Sequence, residues 1–434
     1  MKIFRDPIHN VIDLDTGDKK TNELILNLID TRDFQRLRFI KQLGLASYAY
    51  PSANHSRFEH SLGVAYLAKR IIDKLISTET EVLAKYELDD EKQKISEFFS
   101  RLKKDRCITI IAALLHDVGH GAFSHVSENL IDIKHESWVR EMILDESTNI
   151  NALLRAEDPN YPRLVWDILS PNDAQNPMPT SKLISGQLDI DKIDYLLRDA
   201  HMTGSGYGKF DIEWLINVLT VGIYDDSVEI GLDLNKGLSV AEAFVMSRIN
   251  MFKNVYLHKV SIIAQATLRL IFKRLKETGE NLEVTAINNI YLSNDITREN
   301  MKHYLGDYIS VTDVDFYYSL KTIEAKSKDD IVKKLCANLL YRNFFKQVTK
   351  EELYNLKEHM KTKDEKEFYT LVLDIRDKSS GLMYKPDKDQ IFLFDKSGVG
   401  YDLAEKSAII NTSKVSENYE PYYFVDRDIY SEST

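Results

Sequence analysis

Apolar residues recur every three to four positions over most of the chain, as at Leu24, Leu26 and Ile29, then Phe34, Leu37 and Phe39, then Leu62, Tyr66, Ile71 and Leu75. That period lays an apolar stripe along one side of a helix, so the pattern predicts a mainly α protein with a helix over residues 56–77. From 78 to 105 the stripe gives way to Glu and Lys. This predicts a solvated helix with loops, separating the first helix from the apolar run 108–115. A proline-rich passage over 159–179 is expected to break helix. Ser181 then caps a helix to about Ala200, which Gly204, Gly206 and Gly208 end.

Strict alternation at Val221, Ile223, Val228, Ile230 and Leu232, around Asp225-Asp226-Ser227, predicts a β-hairpin. One long helix is expected over 239–276. Beyond Asn289 the periodicity is shorter and mixed, and the segment from Gly381 to Tyr430 holds strand-like pieces at 391–394 and 422–425. The organisation expected is a helical core over residues 1–285 and a smaller mixed α/β lobe over 286–434, with no repeat and no low-complexity tract.

Composition narrows the class. With 434 residues, 43% of them hydrophobic, the chain has material for a large core. Its two cysteines, Cys107 and Cys336, sit among apolar neighbours and build no disulfide framework, which predicts a reducing, cytoplasmic setting. Charge arrives at Lys2 and Arg5, before any signal-like apolar stretch, and no run approaches the roughly 20 residues a bilayer requires, so no membrane partner is expected. A net charge of −11 argues against nucleic acid as a partner. A polyphosphate site would have to gather its own Lys and Arg.

Candidate chemistry concentrates at Leu114-Leu115-His116-Asp117-Val118-Gly119-His120-Gly121, where a buried apolar helix ends in adjacent His and Asp. His60, in Phe58-Glu59-His60-Ser61-Leu62-Gly63, and Asp191, in Leu188-Asp189-Ile190-Asp191-Lys192-Ile193-Asp194-Tyr195, lie on two further helical stripes. Three helices each offering inward N or O donors can surround one ion. Two His and two Asp suit Mn, Fe, Ni, Co or Zn, and the absence of Cys among them disfavours a closed structural zinc site.

The set His60, His116-Asp117, Asp191 resembles the HD-domain phosphohydrolases. Within that group the runs Gln35-Arg36-Leu37-Arg38-Phe39-Ile40-Lys41-Gln42-Leu43-Gly44, Arg57 to Val64, His116 to His125 and Asp189 to Asp199 are similar to the deoxynucleoside triphosphate triphosphohydrolases, in the same order over residues 2–350. The resemblance implies hydrolysis of a dNTP to deoxynucleoside and inorganic triphosphate, with Mg accompanying the bound nucleotide. It implies that His120, His125 and His135 contact the α-phosphate and that one of them, here expected to be His135, is the general acid, partnered by Glu128. Arg57, Lys192 and Arg248 are its candidates for the polyphosphate. Tyr195 would pack where a ribose 2′-hydroxyl projects, Gln42 and Asp199 would bind the 3′-hydroxyl, and Tyr256 falls at the base. On the helix bearing Asp191, the i, i+4, i+7 spacing puts Asp191, Tyr195 and Arg198 on one stripe.

The same resemblance implies an activator site for GTP or a dNTP between subunits, drawn from Lys2, Asp30, Gln35, Arg38, Arg342 and Lys346, and a homo-oligomer, either tetramer or dimer, assembled by that nucleotide. Two other readings keep part of the site. An HD centre also hosts monophosphates, alarmones and cyclic nucleotides, and a sensing or nucleic-acid-binding module would keep the pocket with little turnover.

Overall fold

Across the computed structural model, which describes residues 2–174, 178–374, 384, 390–411 and 421–433, helices dominate and the chain is mainly α. The helix Arg57–Ser77 starts where the pattern places it. Ser56 and Glu59 form a capping box that satisfies the first free backbone N–H groups. Its buried side, including Leu62, Leu67, Ile71 and Leu75, packs against the helices Asp89–Leu115 and Ile190–Thr203. Burying each such Leu or Ile contributes about 2 kcal/mol. These three helices frame the site.

Several expected boundaries differ. The charged stretch after residue 78 is not a separate helix ahead of the apolar run 108–115, because Asp89–Leu115 is one continuous helix of 27 residues. Its charged half still buries Ile95, Phe98, Phe99 and Leu102, an i, i+3, i+4, i+7 stripe hidden among Glu and Lys. Residues 161–169 are helical, since Pro162 sits in the first turn where its missing N–H costs nothing. Ser181–Ile184 is a single turn, and Asp189, whose side chain accepts from the Lys192 N–H, caps a separate helix, Ile190–Thr203. The long helix expected over 239–276 is two helices: Leu234–Met251, prolonged by a π-helical turn, Phe252–Tyr256, and Lys259–Thr278, which meets it at a bend of 55°.

Among the described residues the strands form three sheets. Strands β1 (Ile3–Asp6) and β2 (Asn10–Asp13) make an N-terminal hairpin. Strands β3 (Leu219–Tyr224) and β4 (Ser227–Asp233) form the expected hairpin. Strand β5 (Lys346–Val348) is antiparallel to β9 (Tyr422–Val425), and β9 to β6 (Thr370–Leu373). Strand β7 (Phe392–Phe394) runs parallel to β4, and β8 (Gly400–Asp402) closes the four-stranded sheet. At Gly231 an added Cβ would lie 2.3 Å from the Phe392 carbonyl oxygen, so the parallel pairing requires glycine there. This sheet takes two strands from each side of residue 285, and the main hydrophobic cluster extends from Ile12 to Phe424. Within the segment from Gly381 to Tyr430, positions 381–383, 385–389 and 412–420 lie outside the described residues, as do 175–177 of the proline-rich passage. Among the described residues no single helix is long and apolar enough to cross a membrane.

Candidate active site

His60 lies on the buried side of Arg57–Ser77, His116 caps the end of Asp89–Leu115 with Asp117 next to it, and Asp191 opens Ile190–Thr203. Their donor atoms converge. His60 Nε2 lies 3.0 Å from Asp191 Oδ1, 3.3 Å from His116 Nε2 and 3.6 Å from Asp117 Oδ2. His116 Nε2 lies 3.4 Å from Asp117 Oδ1 and 3.5 Å from Asp191 Oδ1. Such edges suit a shell whose donors each sit about 2 Å from a common centre. Each imidazole is engaged at its other nitrogen: His60 Nδ1–H donates to Asp194 Oδ2 at 2.8 Å, and His116 Nδ1–H to the Ala113 carbonyl at 2.8 Å. Both Nε2 atoms are therefore aimed inward, as metal ligation requires.

The electrostatics fit a cation. Burial opposes charge on His60, yet hydrogen bonds to Asp191 and Asp194 push its imidazole up to about 10. Burial likewise opposes charge on Asp191, but hydrogen bonds from His116 and His60 hold it well below the usual carboxylate range. Asp117 is also held far down against burial, chiefly by Arg57, whose Nη1 donates to its Oδ2 at 2.5 Å. The carboxylates that raise the imidazoles thus favour positive charge where the four donors converge.

A second cluster adjoins it. Glu128 Oε1 accepts from His125 Nδ1–H at 2.7 Å and from His135 Nδ1–H at 2.8 Å; burial opposes charge on this carboxyl, but these bonds hold it well below the usual carboxylate range. The His120 ring stacks on His135 with centroids 3.6 Å apart, and its Nδ1 lies 3.2 Å from Asp117 Oδ1 without a well-directed hydrogen bond. Burial, then Arg57 and His135, push His120 well below the ordinary imidazole range, so it stays neutral. The backbone here is unusual: Phe123 and Ser124 have φ of 54° and 59°, a region that non-glycine residues rarely adopt. Three interactions hold the turn: Phe123 N–H donates to Asp313 at 2.6 Å, Ser124 Oγ to the Lys41 carbonyl at 2.7 Å, and Arg57 Nε to Ser124 Oγ at 2.8 Å.

Next to both clusters is a cavity of about 300 Å³ lined by Gln42, Arg57, His125, Tyr195, Asp199 and Tyr256, among others. Tyr256 Oη donates to Asp199 Oδ2 at 2.8 Å, while His55 Nε2–H donates to Asp199 Oδ1 at 2.7 Å. The Tyr195 ring meets Tyr256 edge-on at 6.2 Å, and Gln42 Oε1 is buried without a partner among the described residues. Burial and nearby Asp191 raise the Tyr195 phenol, which keeps it neutral.

Other expected residues are engaged by local partners. Lys192 donates to Asp189 Oδ2 at 2.5 Å and to the Gly186 carbonyl at 2.8 Å, and Arg248 bonds Gln187. Arg198 does not share the outward stripe of Asp191 and Tyr195. It is fully buried, paired with Asp194 and Asp6. Lys2 meets Asp30 at 3.6 Å, Arg38 Nε donates to Gln35 at 2.7 Å, and Gln35 Nε2 donates to the Ile29 carbonyl at 2.7 Å, so these four residues share one neighbourhood. Arg342 and Lys346 line a different groove of about 430 Å³, together with Lys259 and Arg427.

Sequence reasoning missed Asp194, His55, Asp313 and Arg36. Arg36 Nη1 donates to the carbonyls of Val118 and His120, at 3.1 and 2.8 Å, and so clamps the loop after the His116-Asp117 pair. Its signal was an Arg set between the apolar Phe34 and Leu37. Asp194 could have been found three residues after Asp191, on the buried side of the same helix.

Residues 57–199 match the HD domain family. The uncharacterized protein YwfO of Bacillus subtilis is 30% identical over 100% of this chain and 94% of its own length. Human deoxynucleoside triphosphate triphosphohydrolase SAMHD1 is 28% identical over 95% of this chain, which spans 65% of the human protein. Among solved structures, a phosphohydrolase from Bacteroides thetaiotaomicron superposes with a TM-score of 0.77 at 27% identity, covering 98% of this chain and all of that one.

Proposed function

This chain belongs to the HD-domain family, and from that premise we propose that it hydrolyses deoxynucleoside triphosphates to deoxynucleoside and inorganic triphosphate. The coarser activity, metal-dependent phosphohydrolysis, is that of its family. The observation carrying the finer reading is that the converging set of His60, His116, Asp117 and Asp191 adjoins a cavity walled by Tyr195 and Asp199, which stand four and eight residues after Asp191 on one helix. In this reading one helix carries a metal ligand and two of the residues that meet the sugar.

In this reading the four residues hold a divalent transition ion, which supplies charge stabilisation to the phosphoryl group. The chain supplies the rest. Arg57, fixed between Asp117 and Ser124 and facing the cavity, offers a guanidinium to the phosphate oxygens. Water attacks the α-phosphorus, the bond to the 5′-oxygen breaks, His135 passes a proton to that oxygen, and the proton released by the attacking water restores the His135 acid through solvent. Glu128 orients the His135 ring by accepting from its Nδ1–H, which turns Nε2 towards the substrate in this reading. His120, kept neutral by burial and by Arg57, is unsuited to the acid role and serves as a hydrogen-bonding partner. Asp199 and Gln42 receive the 3′-hydroxyl, and the Tyr195 ring fills the space of a 2′-hydroxyl.

For the activator, the grouping of Lys2, Asp30, Gln35 and Arg38, with Arg342 and Lys346 in a separate basic groove, supports a nucleotide bridging two copies of the chain. The test is purified protein with Mn, offered the eight common (d)NTPs with and without GTP, with products resolved by chromatography and mass by light scattering. Inorganic triphosphate from dNTPs supports the reading. Orthophosphate or pyrophosphate would assign another nucleotide chemistry, and no product would favour a sensing role.

A further inference from the structure

Behind His60, on the side away from the converging donors, lies a layer of buried charge that the chemistry above does not use. Asp194 Oδ2 accepts from His60 Nδ1–H and from Arg198 Nε, both at 2.8 Å. Its Oδ1 accepts from Arg198 Nη2 at 2.9 Å and from His9 Nε2–H at 2.7 Å. Arg198 Nη1 continues to Asp6 Oδ2 at 2.6 Å. Asp6 Oδ1 in turn accepts the backbone N–H groups of Ile8 and His9, both at 2.9 Å, and so shapes the turn that presents His9. The turn between β1 and β2 therefore ends inside the protein, with the His9 side chain 1% exposed and its ring edge-on to Tyr66 at 5.5 Å.

Gly63 makes room for this arrangement. It stands one turn after His60 on the same helix, where an added Cβ would lie 2.0 Å from Asp194 Oδ1 and 2.6 Å from Arg198 Nη2. An imidazole that ligates through Nε2 needs its proton on Nδ1 and its ring held in plane, and a carboxylate at Nδ1 provides both. That carboxylate must itself be held. Arg198 grips it from one side, and His9, 185 residues away in sequence, closes the other.

We propose that the N-terminal hairpin is a working part of the metal centre: His9 and Asp6 are positioning residues that fix Asp194, and through it hold His60 in its ligating tautomer and orientation. This rests on the reading of His60 as a ligand and deepens it. Loosening the hairpin would weaken metal binding without altering any ligand.

The test uses the full chain and Mn²⁺ alone, by titration calorimetry without nucleotide, alongside circular dichroism and melting. His9→Phe keeps the ring and its Tyr66 contact but removes the donor, whereas His9→Gln keeps a donor at similar reach. The expected result is a loss of Mn²⁺ affinity of about 10- to 100-fold in His9→Phe with helical content unchanged, most of it recovered in His9→Gln, and an unchanged KM at saturating Mn²⁺. Wild-type affinity in His9→Phe would overturn the proposal, leaving the hairpin a structural latch that moves only the melting temperature. Should His9→Phe not fold, Asp6→Asn, which removes the charge facing Arg198, is titrated in its place: weakened Mn²⁺ binding supports the proposal and wild-type affinity overturns it. Asp117→Ala, run in parallel, separates the premises: if it binds Mn²⁺ like wild type, the ligand assignment itself fails rather than the role of the hairpin.

Discussion

Two clusters of imidazole and carboxylate lie side by side here, and either has the residue types to hold a cation. They are built in opposite senses. In the His60, His116, Asp117, Asp191 cluster each imidazole is anchored at Nδ1 by a group outside the set, which leaves both Nε2 atoms pointing inward at two carboxylates. In the His120, His125, His135, Glu128 cluster two imidazoles spend Nδ1 on the same carboxylate oxygen, and the third imidazole is kept neutral. The first gathers negative charge around converging lone pairs, which demands a cation. The second orients imidazoles about a single anion, which suits moving a proton and meeting phosphate. Anchoring, rather than composition, distinguishes them.

Breaking the first cluster should have the largest effect. Asp117→Ala is expected to lower turnover by at least about 10³-fold and to lower bound metal, with the helical circular dichroism intact. Metal content by elemental analysis and triphosphate release check it, and retained turnover would remove Asp117 from the ligand set. Breaking the second should cost less and leave the metal in place. For His135→Ala the expected fall in kcat is about 10²- to 10³-fold at unchanged metal content, and Glu128→Gln should fall in the same direction. Loss of metal in His135→Ala would mean that the two clusters do not divide the work as described.

Acidity sharpens the contrast. With His60 pushed up to about 10 and His116 also raised, the metal-free centre carries protons that an incoming cation must displace. Proton release on binding makes affinity rise with pH, by about tenfold per unit for each proton displaced, and for His60 the rise continues towards pH 10 instead of levelling near the ordinary imidazole value. Calorimetry in buffers of different ionisation heat measures the protons released. A pH-independent affinity would show that the imidazoles are already neutral before metal arrives.

The two clusters also differ in how far they could be read from sequence. The four converging residues stand in short runs whose helical spacing turns each inward, so His60, His116, Asp117 and Asp191 were legible as a set from the sequence alone. What anchors them was not. Asp194 reads as one more polar residue on a helix, and its partner His9 lies at a separation no local period reports. The helical class was legible too, but its boundaries failed where local composition was trusted over the stripe beneath it. The charged half of Asp89–Leu115 reads as solvent-facing until Ile95, Phe98, Phe99 and Leu102 are placed at one angle, and Pro162 reads as a breaker until it is seen in a first turn.

The smallest expected effect belongs to neither cluster but to the cavity beside them, and it tests whether the sugar is read separately from the chemistry. Tyr195 stands one turn after Asp191, so its ring is placed by the same helix that positions a proposed ligand, and it is packed edge-on against Tyr256. A ring that excludes a hydroxyl by occupying its space discriminates only modestly, since the rejected group loses contacts and no buried charge is stranded. Tyr195→Ala is therefore expected to reduce the preference for dNTP over NTP by about tenfold, read as the ratio of kcat/KM values, while metal content and the pH dependence of metal binding stay as in wild type. An unchanged ratio would put the sugar gate elsewhere in the cavity, with Asp199 and its partners His55 and Tyr256 the next residues to vary. A ratio that falls together with metal content would instead mean that the ring supports the ligand helix, and the separation between sugar reading and metal chemistry would have to be given up.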